Sequence, residues 1–495
     1  MIEIKNSVVK KQKSFFNQCV FHPTDAVEDP WGKRILDRMS RDGAIDTIRI
    51  YAMLEDIVYC GEDGELSYDF RLNDLRLDYL VERGYGLVIA YAGMPDSIAK
   101  SDNGKSTAAK NKTRYKGKMW NTNSTADYKA WEDVCYEYTK HIIERYGIDV
   151  VSSWRVHCFN EPDITVFFLS EIDEKKFAKE RCEEYLRMYE AFVKGVRRAS
   201  SEVRVGGPAL AYVTEFLEQF LNGVKERDLD LDYISIHTYG TSPMLLNSGE
   251  EKLSVDMLME KIGKRFEVIK RCGFGDTPIV IDEWGASSHG YFNSEECKVL
   301  MFRESEILSA YFVRFVYELI HSEFSIENLM ICLSGQHEMV EDFSGFRNFF
   351  TLNFIAKPIY NANILLSKLG ENLLDFCTDK NEISVIPTRG DNGEYAVAAV
   401  YATEHFDEDL PPLAETVVFD EDISGKRVTV WCIDKEHTNP FRLYQKMGIT
   451  QPTADEINLL RKEGMMHPVC DFVARNSSIE IKMSANSVIL ITVEG

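Results

Sequence analysis

Short apolar runs and long amphipathic stretches alternate along the chain from about residue 17 to residue 370. Eight runs are rich in β-branched and aromatic residues and bounded by turn formers, so each predicts a strand. They are QCVF (18–21), DTIRIYA (46–52), YGLVIAYAG (85–93), SWRVHCFN (153–160), VRVGGPAL (203–210), LDYISIHTYG (231–240), TPIVIDEWG (277–285) and LMICLSG (329–335). Between them, apolar residues recur at helical spacing. WGKRILDRMSRDG and NDLRLDYLVERG predict helices that stop at Gly43 and Gly84, where a left-handed residue can close the last turn. From Asp127 to Gly147, Tyr128, Trp131, Val134, Cys135, Tyr138 and Ile142 share one face. Segments 174–200, 254–273 and 296–322 predict longer helices. Eight strands alternating with helices predict a parallel α/β fold. Without a dinucleotide fingerprint, eight units favour a closed (β/α)8 TIM barrel over an open doubly wound sheet.

After Gly370 the pattern changes. NEISVIPTRG, YAVAAVYA, ETVVF, KRVTVWCI, SIEIKMS and SVILITVE are short strands split by turn clusters, with one polar helical stretch at 453–463. They predict a C-terminal antiparallel β-sandwich. The expected domains are a catalytic barrel at 17–372 and an accessory sandwich at 373–495, to which residues 1–16 add a strand. Residues 100–126 form a basic loop in an acidic chain and carry Tyr115 and Trp120. As a βα loop it is expected to lie over the mouth of the barrel, where Trp120 would meet substrate.

The length, 495 residues, sets a prior of two or three domains. Lysine and arginine total 57 against 80 aspartate and glutamate, a net charge of −23, which argues against a nucleic-acid partner. The N-terminal MIEIKNSVVKKQKSFF lacks an apolar signal core, and no stretch approaches the roughly 18 apolar residues of a membrane span. The eleven cysteines include no C-x-x-C pair, so neither a disulfide framework nor a zinc site is expected, and a reducing cytoplasm is. Homo-oligomerisation is left open.

Two glutamates carry the candidate chemistry. Glu161 follows an apolar strand inside Asn160-Glu161-Pro162, and Glu283 closes PIVIDEWG. A carboxylate ending a hydrophobic strand costs several kcal/mol unless it is paired, neutralised or used. The two end the fourth and seventh expected strands, so both point into the C-terminal mouth, where barrel enzymes place their chemistry. Pro162 is expected to keep Glu161 extended. Two carboxylates across one cleft suit glycosidic cleavage, one protonated as acid, the other ionised as nucleophile or base.

These residues resemble the (β/α)8 retaining glycosidases, and more closely glycoside hydrolase family 39, which includes β-xylosidases and α-L-iduronidases. The similar segments are WRVHCFNEPDITVFF, VRVGGPA, LDYISIHTYG, VIDEWGASS, IAKPIYNANILLSKLG and NPFRLYQKMG. The resemblance implies Glu161 as general acid/base and Glu283 as nucleophile, with carboxyl groups about 5–5.5 Å apart. It further implies Asn160 on the sugar 2-OH, His237 and Tyr239 near sugar or Glu283, and Arg49 holding Glu283 ionised. Tyr51, Trp284 and Glu338 complete the expected substrate-binding set, and no metal or cofactor is required. Phe159, Phe168, Arg49-Ile50-Tyr51 and LSGQHEM depart from the β-xylosidase pattern, which leaves the sugar open. The expected activity is a retaining, exo-acting glycosidase on short oligosaccharides, with β-xyloside foremost. Arabinoside, galactoside, glucoside and uronide are the alternatives. A sugar-binding homologue that has lost catalysis would not need to keep both glutamates.

Overall fold

A computed structural model describes residues 1–21, 29–101, 105–106, 120–169, 178–290, 292–333, 339, 341–404, 406 and 410–495, with backbone alone at 105–106, 120 and 178. The chain opens with β1 (Ile2–Lys11), then β2 (Gln18–Val20), β3 (Thr47–Tyr51), β4 (Gly86–Tyr91) and β5 (Arg155–Cys158). There follow β6 (Arg204–Leu210), β7 (Tyr233–Thr241), β8 (Ile279–Ser287) and β9 (Ile326–Cys332). Strands β2 to β9 pair in parallel and in chain order, and β9 returns to β2, so the sheet closes as a barrel. Both faces of such strands are covered, which is why they read as nearly continuous apolar runs.

The outer layer is α1 (Pro30–Asp42), α2 (Arg71–Val81), α3 (Tyr128–Tyr146), α4 (Ala178–Ala199), α5 (Thr214–Glu226), α6 (Val255–Arg271) and α7 (Glu306–His321). Helix α1 starts where the Asp29 side chain accepts the Trp31 N–H and stops at Gly43, φ 62°, a left-handed turn that suits glycine. Helices α3 and α4 approach closely because position 195 is glycine; a Cβ there would lie 2.3 Å from the Glu132 carbonyl oxygen. Trp131, fully buried between them, donates its indole N–H to the Met188 carbonyl at 3.2 Å. Helix α5 is not among the segments whose spacing predicts a helix above. Its buried Phe216, Leu217, Phe220, Leu221 and Val224 nonetheless follow the three–four rule.

The C-terminal half holds α8 (Pro358–Leu366), β10 (Asn372–Thr378), β11 (Ser384–Arg389), β12 (Tyr395–Tyr401), β13 (Leu413–Phe419) and β14 (Arg427–Ile433). It continues with α9 (Pro440–Met447), α10 (Ala454–Glu463), β15 (Pro468–Val473), β16 (Ser478–Met483) and β17 (Ser487–Val493). Thr453 and Glu456 close a reciprocal capping box on α10. The strands form one nine-stranded sheet in the order β15-β14-β17-β12-β11-β10-β1-β13-β16. The sandwich is thus a single sheet curled around its own core of Ile2, Ile4, Val397, Val417, Ile479 and Ile491. Strand β1 joins the two halves, antiparallel to β10 and parallel to β13.

This sheet is fastened to the barrel. Buried Glu306 at the start of α7 accepts from Arg442 and from the Asn439 amide, each at 2.7 Å. Phe343, on the segment after β9, packs on Phe441 and Tyr444 of α9. Within the barrel part itself, Lys357 ahead of α8 and Glu304 ahead of α7 pair at 2.7 Å, both essentially inaccessible to solvent.

Candidate active site

At the C-terminal ends of the barrel strands, charged side chains converge. Arg49 and Tyr51 alternate along β3, so both face the lumen. On β8, two consecutive residues, Asp282 and Glu283, reach the lumen. Regular pleating forbids this, and the ladder shows how it is done. The β8–β9 register shifts between Ile281 and Trp284, and the β7–β8 register shifts between Ile236 and His237. Such bulges re-aim side chains. They leave His237 paired directly opposite Glu283.

Strand β5 ends at Cys158, and the following turn carries Asn160 and Glu161. Contrary to the extended backbone expected ahead of Pro162, Glu161 is left-handed, with φ 45°, and Phe159 also has φ 61°. Tertiary hydrogen bonds override the proline bias. The Glu161 N–H donates to the Ala209 carbonyl on β6 at 3.1 Å. Two residues on, buried Asp163 accepts the N–H groups of Ala211, Tyr212 and Val213 at 2.8, 2.8 and 2.9 Å. Val213 is the N-cap position of α5 and has no capping side chain of its own, so Asp163 caps that helix from a neighbouring loop. A left-handed glutamate costs about 1–3 kcal/mol and persists only where its surroundings over-determine it, as at active sites.

The two glutamates are brought together. Their nearest carboxylate oxygens and His237 Nδ1 all lie within 4.8 Å of one another. His237 Nδ1 is 2.6 Å from Glu161 Oε1 and 3.5 Å from Glu283 Oε2. Glu283 Oε1 accepts from Arg49 at 2.7 Å and from the Tyr51 hydroxyl at 3.2 Å, and Oε2 accepts from the Tyr239 hydroxyl at 2.6 Å. A second Arg49 nitrogen donates to Asn160 Oδ1 at 2.7 Å. Glu161 and Glu283 keep 9% and 7% exposure, whereas Arg49, His157, His237 and Asp282 have none. Only the two glutamates of this set face the open mouth.

Their environments split their ionisation. Burial raises the pKa of Glu161, and the Glu283 charge adds to this, more than His237 offsets. Burial alone would raise Glu283 too, but His237, Arg49 and the Tyr239 hydroxyl bring it below the ordinary carboxylate value. Burial opposes the His237 charge, yet Glu283 and Asp282 outweigh it and raise this imidazole to about 10. Burial and Arg49 push the adjacent His157 down to about 3, so it stays neutral. Asp282 is held at about 2 against burial by Arg49 and His237.

Of the expected residues, Asn160, Glu161, Glu283, His237, Tyr239, Arg49 and Tyr51 meet in one cluster. Trp284 does not. It is fully buried, stacked on Phe312 and packed against the tilted ring of Phe315 of α7, because strand alternation after Glu283 turns it out of the lumen. Glu338, Tyr115 and the Trp120 side chain lie outside the described residues. Asp282, His157, Asp163 and Arg347 were not singled out in the sequence. Arg347 donates to the Tyr239 hydroxyl at 3.2 Å, one hydroxyl away from Glu283. Asp282 was visible as a second carboxylate beside Glu283, but alternation assigns it to the opposite face. His157 lies in an apolar strand that reads as core.

Glu161, His237 and Glu283 offer three donor atoms close enough for one metal ion. The donor set resists one: Arg49 already holds Glu283, and the His237 imidazole carries its own positive charge. Among the described residues, no helix is long and apolar enough to cross a membrane.

The model of the family described as glycosyl hydrolases family 39 matches residues 1–478. A β-xylosidase of Caldicellulosiruptor saccharolyticus is 24% identical over 453 residues, covering 88% of this chain and 86% of its own. One from Geobacillus stearothermophilus is 24% identical over 400 residues, covering 78% and 72%. The fold is shared with a monomeric β-xylosidase from Caulobacter crescentus at a TM-score of 0.82 and 20% identity, over 100% of this chain and 99% of that one. A barrel whose mouth brings together two glutamates, the pKa of one raised and of the other lowered, agrees with this match along nearly the whole chain, which belongs to glycosyl hydrolases family 39 and is a glycoside hydrolase.

Proposed function

We propose that the protein is an exo-acting, retaining β-xylosidase that hydrolyses short oligosaccharides by double displacement. Glu283 attacks the anomeric carbon while Glu161 protonates the leaving oxygen; Glu161 then takes a proton from water as the glycosyl–Glu283 bond is hydrolysed. The observation that carries this is a pair of glutamates whose oxygens lie within 4.8 Å and whose pKa values are shifted in opposite directions. That separation favours retention, since an inverting pair needs about 6.5–9.5 Å to seat a water between its carboxyl groups. Asn160, oriented by Arg49, is the proposed contact to the sugar 2-OH. Xylose as the sugar is supported by the names of the relatives matched over most of both chains.

Arg347 favours a second reading. A guanidinium one hydroxyl away from the nucleophile could pair with a sugar carboxylate, so a uronide is the alternative substrate. The proposed catalytic unit is 17–372, with the C-terminal sheet and β1 as its brace. All eleven cysteines are free thiols, which supports a reducing, cytoplasmic setting. A panel of aryl glycosides, with proton NMR of the first-formed anomer, tests the reading. Turnover of the β-xyloside with retained configuration is expected. Preference for the uronide selects the second reading, and an inverted anomer overturns the mechanism.

A further inference from the structure

We propose that Asp282 is a positioning residue: buried beneath the site, it keeps His237 an imidazolium whose Nδ1–H is aimed at Glu161, so that Glu161 can become the carboxylate the second half-reaction needs. This rests on Glu161 being the acid/base. The geometry is a buried row. Asp282 Oδ1 lies 3.5 Å from His237 Nε2, and His237 Nδ1 lies 2.6 Å from Glu161 Oε1. On its other oxygen, Asp282 faces Arg49 Nε at 3.2 Å and His157 Nε2 at 3.4 Å. With Oε1 accepting from the imidazolium, the Glu161 proton sits on Oε2, ready for the leaving oxygen.

The charges around His237 can be followed through the reaction. From the β5 turn it faces Glu161, and from β8 Asp282 and Glu283, the latter also held by Arg49 and Tyr51 of β3. Tyr239 lies on its own strand, with Arg347 beyond that hydroxyl. Arg265 of α6 donates to the His237 backbone carbonyl. His157 is neutral, its pKa depressed by burial and Arg49. In the resting state the cations Arg49 and His237 balance the anions Asp282 and Glu283, while Glu161 is neutral. In the first half-reaction the glycosidic C–O pair goes to the leaving oxygen, which takes the Glu161 proton. The Glu283 oxygen bonds the anomeric carbon and loses its charge as Glu161 gains one. The same two cations now balance Asp282 and Glu161. In the second half-reaction water bonds the anomeric carbon, its proton returns to Glu161, and the C–Oε pair returns to Glu283. His237 keeps both protons throughout. Asp282 is the one anion constant across the cycle. Without it the site carries an excess cation whenever His237 is charged, so the imidazole gives up its proton and Glu161 loses its counter-ion just when it must ionise.

The test is Asp282→Asn in the full chain, with an aryl glycoside bearing a good leaving group. Expected is a burst of one phenolate per enzyme, followed by steady-state turnover slowed at least tenfold. Azide, which needs no base, should restore that turnover as a glycosyl azide of retained configuration. The acid limb of the kcat–pH profile should move upward. A folded Asp282→Asn variant with no burst, no azide effect and an unmoved acid limb overturns the proposal. Glu161→Ala serves as the control: its own azide rescue reports on the acid/base assignment independently of Asp282. Should Asp282→Asn fail to fold, 15N NMR of the parent decides, with the His237 signal assigned by its absence in His237→Gln. An imidazolium at pH 7 supports the proposal, and a neutral ring overturns it.

Discussion

Removing the Asp163 carboxylate should loosen the acid/base without touching it. The side chain holds three backbone N–H groups at 2.8–2.9 Å, all from the turn that leads into α5. Hydrogen bonds to a charged acceptor are worth about 1.5–3 kcal/mol each. Tyr212 is 60% exposed, so water can replace part of that loss at its N–H. Asp163→Ala should therefore cost about 3–5 kcal/mol of stability, most of it at the Ala211 and Val213 donors and the α5 cap. The kinetic consequence is more specific. Glu161 lies two residues away in a left-handed conformation costing about 1–3 kcal/mol, which the Asp163 bridge helps to hold. Once released, the turn relaxes, and a displacement of the acid by about 1 Å is worth about 10²-fold in rate. That loss should fall on substrates whose leaving group needs a proton and spare those with an activated phenol. Thermal unfolding and kcat/KM across a leaving-group series measure both effects. A folded variant that loses activity equally for good and poor leaving groups, or loses none, would refute the argument.

Glu283→Ala should abolish turnover, and added azide should then yield a glycosyl azide of inverted configuration, identified by proton NMR. Glu161→Ala should lower kcat/KM by about 10²–10⁴ for poor leaving groups and little for activated ones, read from the slope of the leaving-group plot. Stability should depend on pH from both sides of the site. The raised His237 pKa adds stability that is fully present below an ordinary imidazole value of about 6.5 and lost as pH rises through about 10. The depressed Asp282 adds stability present above an ordinary carboxylate value and lost as pH falls through about 2. Melting temperatures of the parent should fall between pH 7 and 10, and His237→Gln should flatten that limb.

The sequence alone determined the barrel, because parallel strands covered on both faces must be apolar along their whole length and their connecting helices must be amphipathic. Both are one-dimensional patterns. It also placed Glu161 and Glu283 at the barrel mouth, since they end the fourth and seventh strands, while Arg49, His237 and Tyr239 were expected there from the family resemblance; along a strand, alternate residues face the lumen and the helix layer. Trp284, placed at the site by the family resemblance, follows alternation out of the lumen, but the rule failed at Asp282, because the β8 register shifts by one residue between Ile281 and Trp284. That slip depends on neighbouring strands and leaves no local trace. The left-handed Glu161, expected to be extended ahead of Pro162, was decided by contacts to Ala209 and His237, 48 and 76 residues further along the chain. Asp163 as the cap of α5, and the single sheet in place of two, likewise join segments far apart in sequence. Ionisation is the clearest case. Glu161 and Glu283 are the same residue type at the ends of similar strands. Arg49, Tyr51 and Tyr239 reach Glu283 while His237 lies between the two glutamates, and this placement leaves the Glu161 pKa raised and the Glu283 pKa lowered.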